Sequence, residues 1–377
     1  MSTNLHETFL LLVRLGIGHT DKSGSKIQDS GFKSVDWVRL KDFADRQGLS
    51  AVVLDALNTD GTNITDTMPV QMKLEWIGEV LQMEARSDAQ KKVAETLGEL
   101  FHANFIRTYV LKGAVIAECY PNPKHRLSAD MDCFLRNDND NLNLNDNKGG
   151  THEEAWKLGN DLVRAQGYEV GDGFYKNSSF HLPGLMVENH RFMTPFRGNK
   201  KLRDMERVLQ SMMYSDEGKD RFEGAWLYRP PIMVSALFLI EHAYSHFLHE
   251  GLTWRMVLDW MLFSEKHRKE ICWSDLDVLI DEFGFRKFYD SFCHLGKYIM
   301  GELSVEDLNL RDKCMLEDIW APLDLHESLQ GVKAKFQLAG NYWRARWKYK
   351  YFTEMTWVRA LMEWVTGAVF DRNPKLD

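Results

Sequence analysis

Apolar residues recur every three to four positions along the N-terminal part of the chain, which is the period of an amphipathic helix. The repeat runs through "SVDWVRLKDFADRQGLSAVVLDAL" and again through "PVQMKLEWIGEVLQMEARSDAQKKVAETLGELFHANF". The polar stretch "NTDGTNITDTM" separates the two, and Ser34 or Asp36 is expected to cap the first helix. Residues 1–107 are therefore predicted to form a helical region.

The period changes at residue 108, where short segments with strand character begin. "TYVLK" predicts a buried strand ended by Gly113, and "AVIAECY" predicts a helical turn or two before "PNP". Charged and apolar residues then alternate in "DMDCFL". Because successive side chains of a strand point to opposite faces, Asp130 and Asp132 are predicted to project together from one face.

A pair of strands is predicted further along, in "EVGDGFYKNSSFHL" and "LMVENHRFM", on either side of a turn at Pro183-Gly184. The same alternation places Glu188 and His190 on one face of the second strand. An Asn- and Asp-rich loop, "RNDNDNLNLNDNKGG", lies earlier in the chain. Helical periods return from residue 199, so the pattern divides the chain into residues 1–107, 108–198 and 199–377.

The composition is that of an ordinary globular protein, with 44% hydrophobic and 27% charged residues among 377. The net charge of −8 argues against a general attraction to nucleic acid or to an anionic membrane. Glu241, His242 and His246 interrupt the longest apolar run, so no transmembrane segment is predicted. Since the N-terminus lacks the cationic region of a signal peptide, we expect a cytoplasmic protein with no membrane partner.

The acids on the predicted strands indicate metal chemistry. Hard cations such as Mg²⁺ prefer oxygen ligands, and two ions about 3.5–4 Å apart can clamp the attacking and leaving oxygens of a phosphoryl transfer. Asp130, Asp132 and Glu188 are candidates for such a site, and a pair of solvated acids at a strand end is the alternative. His190 either supports Glu188, contacts substrate or packs at the sheet surface.

Lys112 and Arg126 are the cations nearest to these acids in the sequence. Each has two open roles, namely contact with a triphosphate at the Gly113 turn or charge balance for Asp130 and Asp132. Gly113 permits a tight turn from strand to helix. If the site binds a nucleotide, the missing side chain of Gly113 would also let the backbone approach a phosphate closely.

Two other segments carry residues with alternative roles. His242, His246 and His249 fall on one helical face, and this spacing raises the hypothesis of a zinc site. The favoured interpretation is a hydrogen bond from His242 or His246 to Asp259 or Arg255. The cationic stretch "WRARWKYKYF" either guides a nucleic-acid acceptor or, as the favoured interpretation, forms one face of an amphipathic helix.

The segment "LKGAVIAECYPNPKHRLSADMDCFL", followed by "VENH", resembles the bacterial family of uncharacterised nucleotidyltransferases, a branch of the DNA polymerase β-like nucleotidyltransferase superfamily. The shared pattern is a strand, Lys-Gly, a helix, Pro, Arg, D-x-D and a distant E-x-H. The matching residues here are Lys112, Gly113, Pro123, Arg126, Asp130, Asp132, Glu188 and His190. A second, helical motif of the family is matched by His242, His246, Gly251, Arg255 and Asp259.

The resemblance implies an α+β fold, with a small mixed sheet flanked by helices and mainly helical N- and C-terminal regions. It also implies transfer of a nucleoside monophosphate from a nucleoside triphosphate to an acceptor, with release of pyrophosphate and with two Mg²⁺ or Mn²⁺ ions. In that scheme Asp130 and Asp132 bind the metals, while Glu188 binds one metal and orients or deprotonates the acceptor hydroxyl. The implied substrate contacts are Lys112, Gly113, Arg126 and His190.

This chain departs from the superfamily pattern at Ala114, because a Gly-Ser or Gly-Gly pair is usual and no side-chain hydroxyl follows Gly113 here. The acceptor stays open between a small molecule, a protein and a nucleic acid. The alternative to an enzyme is a catalytically inactive nucleotide-binding or regulatory protein on the same scaffold. A phosphohydrolase that uses the same metals is the third possibility.

Overall fold

The computed structural model describes residues 3–19, 35–57, 68–138, 152–171, 175–216, 218–321, 343–370 and 376. Residues 58–67 and 139–150, which hold most of the two polar loops expected from the sequence, lie outside the described residues, as does Ser34.

Among the described residues, four helices precede the sheet, namely α1 (Thr3–Gly16), α2 (Trp37–Arg46), α3 (Ser50–Leu57) and α4 (Val70–His102). Asp36 caps α2, because its carboxylate accepts a hydrogen bond of 3.1 Å from the Arg39 amide. The helical character predicted for this region is confirmed over the residues described.

The strands found in the described residues form one six-stranded sheet, made of β1 (Ile106–Val110), β2 (Asp130–Asn137), β3 (Val170–Gly171), β4 (Asn177–Leu182), β5 (Leu185–His190) and β6 (Leu227–Tyr228). The strand order is β3-β4-β5-β2-β1-β6. β2 pairs antiparallel with β1 and parallel with β5, so the sheet is mixed. The predicted turn at Pro183-Gly184 joins β4 to β5, and Gly184 has a φ of 75° there.

The remaining α-helices in the described part of the chain are α5 (Ala114–Ala117), α6 (His152–Ala165), α7 (Lys200–Ser215), α8 (Ile232–His249), α9 (Trp254–Lys266), α10 (Trp273–Phe283), α11 (Arg286–Ile299), α12 (Leu310–Trp320), α13 (Arg346–Phe352) and α14 (Trp357–Phe370). The α+β fold predicted from the sequence is confirmed. The helical periods after residue 199 did not predict β6, which is only two residues long and pairs with β1. None of the described helices combines the length and apolar character that a membrane span requires.

The two faces of the sheet are covered by different helices. On one face α6 packs so closely that a Cβ on Gly159 would lie 2.2 Å from Leu135 Cδ1 of β2. Because side chains alternate along a strand, Asp130 and Asp132 project from the opposite face. There α8 approaches, and the rings of Phe238 and His190 meet edge to face at 6.1 Å. The sheet therefore presents its acids toward α8.

Candidate active site

Two strands that are far apart in sequence bring the acids together. β2 and β5 are parallel neighbours in which Asp132 is paired with Glu188, and Phe134 is paired with His190. Asp132 is only 2% exposed, whereas Asp130 and Glu188 are half-buried. The register therefore sets a buried carboxylate beside a more accessible one.

His190 links these two acids. Its Nε2 lies 2.9 Å from Asp132 Oδ1 and 3.5 Å from Glu188 Oε2, while its Nδ1 lies 3.2 Å from the Phe192 carbonyl oxygen. Asp132, Glu188 and His190 each offer a ligand atom, and these atoms lie within 4.8 Å of one another. Carboxylate oxygens and an imidazole nitrogen form a donor set that suits a divalent cation.

One buried oxygen supports this fit. Asp132 Oδ2 is buried and accepts no hydrogen bond, although the Lys112 ammonium lies 3.1 Å away as an ion-pair partner. Buried carboxylate oxygens normally have a full set of donors or a metal ion. The residues present therefore fit a divalent metal at Asp132.

Lys112 lies among the acids. Its Nζ is 3.1 Å from Asp132 Oδ2, 3.8 Å from Asp130 Oδ2 and 3.4 Å from His242 Nε2. Of the two roles expected from the sequence, charge balance is the one that these distances describe. Asp130 contacts Lys112, which in turn contacts Asp132. Asp130 itself does not belong to the acid–histidine cluster, which consists of Asp132, Glu188 and His190.

The charges around Asp132 favour its ionised form. Burial alone would raise the pKa of Asp132, but Lys112 and His190 outweigh burial and hold this pKa well below its ordinary value. A hydrogen bond from His190 likewise lowers the pKa of Glu188. Burial raises the pKa of Asp130 above its ordinary value, against the attraction of Lys112.

His190 carries the complementary charge. Burial disfavours its protonated form, but the hydrogen bonds to Asp132 and Glu188 prevail and raise the pKa of His190 above its ordinary value. The imidazolium then donates from Nδ1 to the Phe192 carbonyl and from Nε2 to Asp132. Nε2 is a metal ligand only in the neutral ring.

The turn after β1 requires glycine. Gly113 has a φ of 66°, and a Cβ built on it would lie 3.1 Å from Ser128 Oγ. The helix that follows, α5, has only four residues. The hydroxyl of Ser128 therefore lies beside the Gly113 turn, and it donates a 3.0 Å hydrogen bond to the Asp130 carbonyl.

Arg126 has a partner that the sequence did not indicate. Its Nε and Nη2 donate to the two carboxylate oxygens of Asp259 at 2.9 and 2.8 Å, and the Tyr120 hydroxyl donates to the same carboxylate at 2.7 Å. Both members of the ion pair are buried. Asp259 of α9, and not Asp130 or Asp132, therefore balances the charge of Arg126, while the predicted substrate contact of Arg126 stays a prediction.

The histidines of α8 have separate partners. His242 contacts Lys112, His246 Nδ1 lies 2.9 Å from Glu250 Oε2, and His249 Nδ1 lies 2.8 Å from the Ser245 carbonyl. The expected bond from His242 or His246 to Asp259 or Arg255 is wrong. Asp259 accepts from Tyr120 and Arg126, and Arg255 donates to the Leu127 carbonyl instead. Over the part of the chain described, three potential ligands converge only at the acid–histidine cluster, which gives the zinc hypothesis no support.

The cationic stretch near the C-terminus is partly structural. Lys348 of α13 is buried, and its ammonium donates to the Phe247 carbonyl at 2.6 Å and to Asp318 at 2.7 Å. Arg346 lies over the ring of Trp343 at 4.6 Å. These contacts support the interpretation of this stretch as one face of an amphipathic helix over a role in guiding a nucleic-acid acceptor.

A cleft opens between the Gly113 turn and helices α8 and α9. Its volume is about 200 Å³, and Lys112, Ser128, Asp130, His242 and Arg255 are among its lining residues. The sequence indicated Arg255 as a structural partner for a histidine and as a match to the helical family motif, but did not place it at a substrate cleft. Its spacing of four residues from Asp259, on the same face of α9, was the signal that it faces this region.

A mixed sheet that presents paired acids beside a Lys-Gly turn agrees with the nucleotidyltransferase architecture that the resemblance implied. The chain belongs to the family described as uncharacterised nucleotidyltransferase, whose family model matches residues 33–301. The match begins shortly before α2, so that it leaves out α1, and it extends through the sheet to the end of α11. Neither the curated proteins nor the solved structures include a match to this chain.

Proposed function

We propose that this protein transfers a nucleoside monophosphate from a nucleoside triphosphate to an acceptor hydroxyl, with release of pyrophosphate. The acceptor oxygen forms a bond to the α-phosphorus, and the bond from that phosphorus to the oxygen that bridges the α- and β-phosphates breaks, so that this oxygen leaves with pyrophosphate. The hydroxyl proton passes to Glu188 or to water. The observation that carries the proposal is the pairing of Asp132 with Glu188 on adjacent strands of a nucleotidyltransferase family member.

Asp132 has two oxygens with different surroundings. Oδ1 accepts from His190, which also lies near Glu188, whereas Oδ2 faces Lys112 and, beyond it, Asp130. Asp130, Asp132 and Glu188 would thus form two donor sets that share Asp132, which supports two Mg²⁺ or Mn²⁺ ions. When bound, such ions supply Lewis-acid stabilisation of the charge on the phosphate oxygens.

Glu188 is proposed to act on the acceptor. Its carboxylate is more exposed than that of Asp132, and its lowered pKa makes it a weak proton acceptor. Its main contribution would therefore be to orient the acceptor hydroxyl for attack. His190 would hold both carboxylates in place, which makes it a positioning residue.

The test is a transfer assay on the purified chain. Each radiolabelled nucleoside triphosphate is incubated with Mg²⁺ or Mn²⁺, a cell extract and a panel of small acceptors, and pyrophosphate release and label transfer are scored. We expect transfer that chelation of the metal abolishes, and a rate reduced about 10²–10³-fold or more in Asp132→Asn. Asp161→Asn, an exposed acid of α6, serves as the matched control.

The other outcomes are informative. Nucleotide binding without transfer, unaffected by the acceptor panel, would favour a regulatory nucleotide-binding protein. Release of phosphate from an ester without any label on an acceptor would favour a phosphohydrolase.

A further inference from the structure

Arg255 differs from its neighbours in lacking an acidic partner. Its Nη1 donates to the Leu127 carbonyl at 2.6 Å, and among the described residues no carboxylate lies within ion-pair distance of its guanidinium. Arg126, which lines the same cleft, is matched in charge by Asp259. A partly buried guanidinium without a counter-ion favours the binding of an anion.

The acids nearby are already engaged. Asp259 accepts from Arg126 and Tyr120, and Asp130 lies 3.8 Å from Lys112. Burial, together with the charge of Arg126, lowers the pKa of Arg255 below its ordinary value. Asp259 and Asp130 attract the Arg255 guanidinium from a distance, but neither forms a direct ion pair with it among the described residues, so this end of the cleft still offers a guanidinium to an anion.

Ser128 adds a hydroxyl beside this charge. It follows Leu127, whose carbonyl Arg255 holds, and its Oγ lies against the Gly113 turn. Its single proton is donated to the Asp130 carbonyl, so contact with an anion requires the hydroxyl to rotate from that carbonyl to the new acceptor. Ser128 thus provides, from the segment before β2, the hydrogen-bond donor that Ala114 cannot supply after Gly113.

The size and position of the cleft indicate which part of a substrate it takes. A volume of about 200 Å³ is below the range of roughly 300–1,000 Å³ that encloses a whole small ligand. The lining includes Asp130 and Lys112 but neither Glu188 nor His190. The cleft therefore reaches Asp130 and Lys112 but does not include Glu188, the residue proposed to act on the acceptor.

We propose that Arg255 and Ser128 bind the β- and γ-phosphates of the triphosphate, so that this cleft holds the leaving pyrophosphate. The proposal rests on the proposed nucleotidyl transfer, which supplies that leaving group. Arg255 comes from α9, so the helical region after the sheet would complete the phosphate site that begins at Gly113.

The test is calorimetric titration of the full chain with pyrophosphate and with tripolyphosphate, in buffer with chelator so that the metal site does not contribute. Arg255→Gln retains an amide donor for the Leu127 carbonyl but removes the charge. We expect it to weaken binding of both anions about 10- to 100-fold, and Ser128→Ala to weaken it about 2- to 10-fold. Asp132→Asn should bind them at least as tightly as the wild type.

Arg14→Gln is the matched control, because Arg14 donates to the Ile299 and Tyr298 carbonyls away from the cleft. It should leave anion affinity unchanged. Unaltered affinity in Arg255→Gln, no binding by the wild type, or an equal loss in Arg14→Gln would each overturn the proposal. If Arg255→Gln does not fold, Arg255→Lys replaces it, with an expected loss of about 3- to 10-fold, and unchanged affinity again overturns the proposal.

The two proposals fail separately. Anion binding that depends on Arg255, in a protein without transfer activity, contradicts the proposed function and leaves this anion site standing. Transfer activity combined with unchanged pyrophosphate affinity in Arg255→Gln contradicts only the inference about the cleft.

Discussion

Asp132 of β2 and Glu188 of β5 are direct partners in a parallel strand pair, and Nε2 of His190 lies between their carboxylates. The relationship depends on register, because a slip of one residue would turn Glu188 to the opposite face of the sheet. The site therefore depends on the pairing of these two strands as much as on the identity of the acids.

Glu188→Gln should lower kcat about 10²- to 10⁴-fold and change the Michaelis constant for the triphosphate less than about threefold, because the proposed role of Glu188 is exerted on the acceptor in the transition state. Steady-state kinetics with varied triphosphate measure the split. Glu99→Gln, an exposed acid of α4, is the control. A rise in the Michaelis constant with unchanged kcat would assign Glu188 to triphosphate binding.

Lys112→Met should destabilise the metal-free protein by about 1–3 kcal/mol, since Asp130 and Asp132 lose the ammonium that lies between them. It should also raise the apparent Michaelis constant for the triphosphate. Thermal unfolding with and without Mg²⁺ provides the measurement, and added Mg²⁺ should raise the melting temperature of the variant more than that of the wild type.

The control for this change is Lys92→Met, at an exposed position of α4. Equal Mg²⁺-induced shifts in the two variants would show that Lys112 and a metal ion do not serve the same carboxylates.

Arg126→Met should cost about 3–5 kcal/mol of unfolding free energy, because it leaves the buried carboxylate of Asp259 without its counter-charge. The double variant Arg126→Met with Asp259→Leu should be more stable than Arg126→Met alone. Urea unfolding measures both. A stable single variant with a raised Michaelis constant for the triphosphate would instead support the substrate contact predicted from the sequence.

His125 connects its own segment before β2 to helices α3 and α4. Its Nδ1 lies 2.6 Å from Asp55 of α3, and its Nε2 lies 2.8 Å from Glu84 of α4. Burial opposes its charge, but the two carboxylates prevail and raise the pKa of His125. A folded-state pKa above the unfolded value gives stabilisation that is complete below about pH 6.5 and is lost as the pH rises through the folded pKa.

His125→Gln should therefore cost about 1–3 kcal/mol at pH 6 and clearly less at pH 9. Chemical unfolding at both values measures the difference from wild type. His181→Gln, at an exposed position of β4, should show no such dependence on pH. A constant cost for His125→Gln across this range would contradict the ion-pair role.

Local pattern alone was sufficient for several features. Alternation predicted that Asp130 and Asp132 share a face, and the turn residues Pro183-Gly184 predicted the β4–β5 hairpin. The helical periods predicted most of the helices. These properties depend on neighbours within a few residues, so the sequence by itself determined them.

Only the tertiary structure decided which distant groups meet. The pairing of β2 with β5, the partner of Arg126 and the position of Arg255 all join segments that are remote in sequence. The strand β6 also depends on its pairing with β1, since two residues carry no detectable period. The physical reason is that register and ion pairing follow from competition for burial among whole elements, which no local spacing records.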